Sequence, residues 1–177
     1  MSTKQMLFSG FGGQGILFAG KFIAYKGLME EKQVSWLPSY GPEMRGGTAS
    51  CSVIVSDEPV GSPIVSKPDV LVAMNLPSLD KFEATVAPGG MIFADSTLIE
   101  RKVERTDVNV FYIPATQLAS ENGMATLANM IIVGKILKEL GEYDEEKITD
   151  ALKKVISAKR ADMLETNLKA MRIGAEN

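Results

Sequence analysis

The sequence predicts an α/β fold: a doubly wound, mostly parallel sheet with helices on both faces and a C-terminal helical tail. Three observations carry that expectation. Short apolar runs alternate with helix-periodic segments, the order of strand–helix units that close into a parallel sheet. The run Val70-Leu71-Val72-Ala73-Met74 is apolar at every position, as in a strand covered on both faces. A glycine-rich turn, Gly10-Phe11-Gly12-Gly13-Gln14-Gly15, joins the first apolar run to the first helical segment.

Taken in order, Lys4 to Ser9 reads as a strand burying Met6, Leu7 and Phe8. After the glycine turn, Gln14 to Glu30 carries Ile16, Leu17, Phe18, Phe22, Ile23, Leu28 and Met29 on a broad helical face. Gln33 to Leu37 is a short strand, and Pro38 and Pro42 bracket a segment that cannot be regular helix. Ala49 to Val55 alternates as a strand. Turns at Asp57-Glu58-Pro59 and Gly61-Ser62-Pro63 precede the buried strand Val70 to Met74. Leu76 to Thr85 suits a short helix, and Pro88-Gly89-Gly90 turns the chain into a strand from Met91 to Ala94. Asn109 to Ile113 is a further strand, followed by a short helical turn over 115–122. A strongly apolar helix runs from Ala125 to Leu140 with Gly141 as its C-terminal stop. Its sides are apolar nearly all round, which predicts burial both on the sheet and against a partner chain. Amphipathic helices follow over Asp144 to Ser157 and Ala161 to Met171; Asp144 suits an N-cap, with Lys147 and no capping box.

The chain has 177 residues, long enough for one domain (1–177) with a proper core, and 45% hydrophobic and 23% charged residues mark it as globular. A net charge of -3 and the lack of a basic block argue against nucleic-acid binding. No uncharged apolar run of about 18 residues is present, so no membrane span is expected. The polar start does not read as a secretory signal. One Cys and no His exclude an intrachain disulfide, an iron–sulfur cluster held by this chain alone, imidazole metal sites and Ser–His or Cys–His nucleophiles. Neither catalytic residues nor metal ligands are therefore assigned, and a reducing cytoplasm is the expected compartment. Cys51 alternates with core positions and reads as a core thiol. The charges Glu100-Arg101-Lys102 and Glu104-Arg105 read as a solvated loop, and Lys153, Lys154, Lys159 and Arg160 as a solvated helix face, with docking of a partner protein the alternative.

The form Gly10-x-Gly12-x-x-Gly15 suits a turn whose backbone N–H groups face a phosphate ester at a helix N-terminus. Gly10 takes the tight turn, Gly12 and Gly13 let a pyrophosphate approach, and Gly15 allows helix to pack on strand. The bland alternative is a strand-to-helix turn without a ligand. A nicotinamide fold also needs an acid at the end of the second strand. That strand ends Trp36-Leu37-Pro38-Ser39-Tyr40, while Glu30, Glu31 and Glu43 lie off its end. No Gly-Lys-Ser/Thr follows the turn, so a P-loop ATPase is not expected. A second loop, Ser39-Tyr40-Gly41-Pro42-Glu43-Met44-Arg45-Gly46-Gly47-Thr48-Ala49-Ser50, pairs glycines with an arginine suited to bidentate phosphate contact and with flanking hydroxyls. Its bland alternative is a surface loop.

Three segments together resemble the gamma subunit of 2-oxoacid:ferredoxin oxidoreductases: Gly-Phe-Gly-Gly-Gln-Gly-Ile at 10–16, Ser-Tyr-Gly-Pro-Glu-Met-Arg-Gly-Gly-Thr-Ala at 39–49, and Ser-Asp-Glu-Pro-Val-Gly-Ser-Pro at 56–63. The resemblance runs over nearly the whole chain, through the Asn129-Met130 helix and the helical tail. It implies one subunit of an oxidoreductase that decarboxylates a 2-oxoacid, transfers the acyl group to coenzyme A and reduces ferredoxin. It implies alpha, beta and ferredoxin-like delta partners, with thiamine diphosphate and iron–sulfur clusters on those partners. By the same resemblance Gly10, Gly12, Gly13, Gln14, Gly15, Tyr40, Arg45, Gly46, Gly47 and Thr48 face coenzyme A. Where some relatives carry a lysine-rich stretch before the paired glycines, this chain has Glu43-Met44-Arg45, so the phosphate contact rests mainly on Arg45. The wording of the motifs leans toward 2-oxoglutarate or branched-chain substrates over pyruvate. Two other readings stand beside it: a stand-alone nicotinamide or flavin oxidoreductase, and a non-catalytic assembly subunit.

Overall fold

Strand β1 (Thr3–Phe11) divides the interior in two by sending alternate side chains to opposite faces of a sheet. Met6 and Phe8 join a large apolar cluster on one face, and Leu7 joins a smaller one on the other. The computed structural model describes residues 2–40 and 48–177. In it β1, β2 (Gln33–Tyr40), β3 (Thr48–Ser56), β4 (Val70–Ala73), β5 (Met91–Asp95) and β6 (Asn109–Ile113) form a six-stranded sheet in the order β2-β3-β1-β4-β5-β6. The strands β1, β4, β5 and β6 are parallel neighbours, whereas β3 runs antiparallel to both β1 and β2. Residues 41–47 are too few for the crossover of about a dozen residues that a parallel pair needs, so β2 and β3 can only form a hairpin.

Several strands outrun their sequence limits. Gly10 and Phe11 still pair with Ala49 and Thr48, so β1 continues into the glycine turn. Strand β2 continues through Pro38, which a sheet tolerates on an edge strand where the missing N–H costs no ladder bond. All four residues of β4 are buried, as a strand covered on both faces requires.

The larger cluster is covered by α1 (Ile16–Met29), α3 (Ala115–Glu121), α4 (Ala128–Glu139), α5 (Glu145–Val155) and α6 (Met163–Glu176). The opposite face is covered by α2 (Leu76–Phe82) and the chain that follows it, through Leu79, Val86 and Ile99. The charged segment after Ile99 is pinned rather than solvated. Glu83, only 7% exposed, accepts hydrogen bonds from Arg101 Nη2 at 2.8 Å and from the N–H groups of Glu104 at 2.6 Å and Arg105 at 3.3 Å. Burial opposes ionisation of Glu83, but the Arg101 guanidinium and those two N–H groups outweigh it and hold its carboxyl below the usual range.

Helix α4 starts at Ala128, after a turn in which Leu127 N–H donates to Met124 O, and it ends where Gly141 and Glu142 donate to the carbonyls of Lys138 and Leu137. Met130, Ile131, Ile132, Val133 and Ile136 are fully buried. Their outer cover is this chain's own C-terminal helix α6, where sequence periodicity alone pointed to a partner. The two helices cross with touching backbones: a Cβ at Gly134 would collide with Met171 O, and one at Gly174 with Ile131 O. Helix α5 is capped by Asp144, whose carboxylate accepts from the N–H groups of Glu146 at 3.0 Å and Lys147 at 3.2 Å.

Gly174→Ala and Gly134→Ala therefore must force the α4–α6 crossing apart. Each is expected to destabilise the fold by about 3 kcal/mol or more, read as a fall in Tm of roughly 6–12 °C by circular dichroism. An unchanged Tm would mean that the two helices do not meet at these glycines.

Candidate functional site

The glycine turn sits at the carboxyl ends of β1 and β4, where the sheet's connections part. From β1 the chain passes to α1 on one face, and from β4 it passes to α2 on the other. Such a switch point is where open α/β sheets form a ligand crevice. Gln14 closes the turn on itself and anchors it. Its N–H donates to Phe11 O at 3.2 Å, its Oε1 accepts from Phe11 N–H at 2.6 Å, and its Nε2 donates to Met74 O at the end of β4 at 3.1 Å. Gly13 adopts φ 93° with open space where a side chain would stand.

Gly15 begins α1 at φ 72°, and its carbonyl accepts from Ala19 N–H at 3.0 Å and from Asn129 Nδ2 at 3.0 Å. The sequence expectation that Gly15 lets helix pack on strand needs correcting: a Cβ there would collide with the Asn129 carboxamide of α4. No side chain caps α1, and its first turn holds no acid. Among the described residues the backbone N–H groups of Ile16, Leu17 and Phe18 have no hydrogen-bond acceptor. The result is a braced turn leading into an unpaired, electropositive helix start, a geometry that suits an anionic group.

The register brings part of the second motif to the same place. Thr48, which opens β3, pairs with Phe11; Ala49 pairs with Gly10 on one side and Tyr40 on the other. Arg45, Gly46 and Gly47 lie outside the described residues, as does the Tyr40 side chain. The same register tests the nicotinamide reading. The strand beside β1 is the antiparallel β3, and β2 lies beyond it at the edge. The position from which a dinucleotide fold presents its ribose-binding acid does not exist in this sheet.

Two buried asparagines at the site have no sequence-level counterpart among the expected site residues. Asn75 caps α2 through Oδ1, which accepts from Ser78 N–H at 2.8 Å, and Ser9 Oγ donates to Ser78 Oγ at 2.8 Å beneath the turn. Asn-Leu-Pro at 75–77 is a readable helix-start signal for the first of these. Asn129 is the second, and nothing local in the sequence reveals it. Cys51 is fully buried under α1, its thiol donating to Ile16 O at 3.6 Å, and burial pushes it up to about 12. Among the described residues no group of three or more His, Cys, Asp or Glu side chains is placed to hold a metal ion, and no helix is long and apolar enough to cross a membrane.

Residues 5–177 match the family of pyruvate ferredoxin/flavodoxin oxidoreductases. The ketoisovalerate oxidoreductase subunit VorA of Methanothermobacter thermautotrophicus is 43% identical over 170 residues, which are 95% of this chain and 35% of VorA. The chain thus spans about a third of that relative's length. The keto/oxoacid ferredoxin oxidoreductase gamma subunit from Geobacter sulfurreducens superposes with a TM-score of 0.85 at 29% identity, covering 99% of this chain and 96% of that one. The 2-oxoglutarate:ferredoxin oxidoreductase from Magnetococcus marinus, solved with 2-oxoglutarate, coenzyme A and succinyl-CoA bound, superposes with a TM-score of 0.87 at 25% identity. That match covers 99% of this chain and 31% of the larger one.

With its thiol held at about 12, Cys51 carries almost no thiolate at pH 8. Iodoacetamide is expected to label it at least about 100-fold more slowly than free cysteine in the native protein, and at the ordinary rate after unfolding. Native labelling at the free-cysteine rate would contradict the burial. Because the folded value is raised, the contribution of this thiol to stability is full below its ordinary value of 9.0 and is lost as pH climbs towards about 12.

Proposed function

Because the chain belongs to the pyruvate ferredoxin/flavodoxin oxidoreductase family, we propose that it serves as the gamma subunit of a multi-subunit 2-oxoacid:ferredoxin oxidoreductase, residues 1–177 forming one gamma-type domain. The assembly oxidatively decarboxylates a 2-oxoacid, passes the acyl group to coenzyme A and reduces ferredoxin. This chain's share is to grip coenzyme A by its charged end and to dock with alpha, beta and ferredoxin-like delta subunits in the cytoplasm. The observation that carries this reading is the start of α1, without a hydrogen-bond acceptor among the described residues, behind a turn braced by Gln14. A phosphate fits there: the donors meet no acceptor among the described residues, the first helical turn holds no acid, and Gly13 leaves room for approach. The Magnetococcus relative, whose structure contains coenzyme A, supports the same ligand.

Within that reading the N–H groups of Gly12, Gly13, Ile16, Leu17 and Phe18 bind the phosphates, and Tyr40, Arg45, Gly46, Gly47 and Thr48 of the second motif are the further coenzyme A residues that the family resemblance implies. Gly10 lets Gln14 lie against the end of β1, since a Cβ there would stand 2.5 Å from Gln14 Oε1. Coenzyme A, when bound, supplies the thiol that accepts the acyl group. Thiamine diphosphate and iron–sulfur clusters are assigned to the partner subunits; a cluster needs several thiolates, and the one thiol here is buried and protonated. Identity to VorA favours a branched-chain substrate, and that to the 2-oxoglutarate synthase subunit KorC of Methanocaldococcus jannaschii a 2-oxoglutarate-type one, over pyruvate.

In the reconstituted complex, Arg45→Ala is expected to raise KM for coenzyme A by tenfold or more with kcat nearly unchanged. That is the loss of a charge-assisted contact of about 1.5–3 kcal/mol made equally in ground and transition states. An unchanged KM would instead favour an assembly-only role for the glycine loops. The chain alone is expected to give no turnover and no tight binding of NADH, NADPH or FAD in a calorimetric titration; either would support a stand-alone oxidoreductase.

A further inference from the structure

The sheet ends on two edges, β6 and β2, and they are treated differently. At β6, Lys102 Nζ lies 4.1 Å from the centre of the Tyr112 ring and Lys135 Nζ 5.7 Å from that of Phe111, and Val103 N–H donates to the Tyr112 hydroxyl at 2.8 Å. Lysines on an edge keep other strands away. At the opposite edge, residues 33–40 of β2 and 48–56 of its neighbour β3 include no Asp, Glu, Lys or Arg. Trp36 and Leu37 of β2 are nevertheless 36% and 38% exposed. The ladder fixes which backbone groups of β2 face outward. The carbonyls of Gln5 and Ser9 in β1 accept from Asp69 N–H at 2.8 Å and Met74 N–H at 2.9 Å, on the β4 side. Successive residues of a strand bond to opposite sides. Met6 and Phe8 therefore bond to Val53 and Cys51 of β3, and Ile54 and Ser52 bond in turn to Ser35 and Leu37 of β2. The backbone groups of Val34, Trp36 and Pro38 are left pointing away from the sheet, and among the described residues none of them has a partner.

We propose that the open edge of β2 pairs with the same edge of a second copy of this chain, antiparallel about a two-fold axis through Ser35. Pairing a strand with itself brings like residues together near the axis, which a charged strand resists and an uncharged one accepts. Pro38 selects the register, because a carbonyl opposite it finds no N–H. With Ser35 on the axis, Val34 stands opposite Trp36 of the second copy and the two exchange N–H···O bonds, an arrangement that the symmetry repeats. Pro38 then falls opposite Lys32, whose N–H is already given to Gly27 O at 3.0 Å. An axis through Trp36 would instead set Pro38 against Val34 and leave the Val34 carbonyl unbonded. Val34 and Trp36 both lie on the α1 face: a Cβ at Gly27 would stand 3.0 Å from Val34 Cγ1, and one at Gly20 3.3 Å from Trp36 Nε1. Each cross-axis contact on that face thus joins an aromatic to a β-branched side chain, a favourable pair. The pairing goes beyond the function proposed above and does not depend on the ligand of the glycine turn.

The full chain is expected to sediment as a dimer in analytical ultracentrifugation. Across the axis the two Ser35 Cα atoms stand about 4.5 Å apart, within the span of a disulfide. Ser35→Cys is therefore expected to give a disulfide-linked dimer on mild oxidation, and Ser39→Cys, displaced along the strand from the axis, is not; the buried Cys51 takes no part. Ser35→Lys and Ser35→Glu place like charges face to face, and each is expected to be a monomer with the circular-dichroism spectrum of the wild type. Mixing the two variants sets opposite charges across the axis and is expected to restore the dimer, which a merely misfolded variant could not do. A monomeric wild type would leave the edge to a strand of another subunit and end the inference. A dimer that links through Ser39→Cys and not Ser35→Cys, one that survives Ser35→Lys, or a mixture that stays monomeric would overturn it as well.

Discussion

The start of α1, whose first backbone N–H groups meet no acceptor among the described residues, is the constraint on which the rest of this structure depends. Most helix starts are capped by a side chain or balanced by an acid in the first turn; α1 has neither. The turn before it is nevertheless fixed from three sides. Gln14 ties it to itself and to the end of β4, Asn129 ties Gly15 to α4, and the ladder to β3 holds Gly10 and Phe11. A rigid turn with free donors favours an anion because the ordering is done before the ligand arrives, so binding sacrifices little further entropy.

The fold supplies that rigidity through two choices. The first places β1 between an antiparallel and a parallel neighbour, so that its carboxyl end meets both the root of the β2–β3 hairpin and the departure of β4. The second folds the C-terminal helix back over α4 at glycine-to-backbone contact, which fixes the height of α4 above the sheet and hence the reach of Asn129 to Gly15. The last helix therefore acts on the site from a distance, as the outer support of the residue that holds the turn.

Much of this was legible in the sequence, and the remainder was hidden for physical reasons. Strands such as Val70–Ala73 and the glycine turn are local: unbroken apolarity and residues without side chains announce themselves. The direction of β3 is a matter of pairing, which no local period records, although the short 41–47 link implies a hairpin once it is measured against a crossover. Helix α4 looked ready for a partner because periodicity reveals that both sides are apolar, not which surface covers them. Arg101 and Arg105 looked solvated because charge in a loop ordinarily is, and their pairing with Glu83 joins residues far apart in the chain. Asn129 and Asn167 sit within helices, where asparagine ordinarily points to water; only packing shows that they are buried with an oxygen to spare.

The most direct measurement of the central claim is amide hydrogen exchange over Gly12 to Phe18 in the assembled complex, with and without coenzyme A. Protection of those amides that scales with coenzyme A occupancy is the expected result. Saturation of the complex with coenzyme A, with turnover intact and these amides exchanging as before, would contradict it.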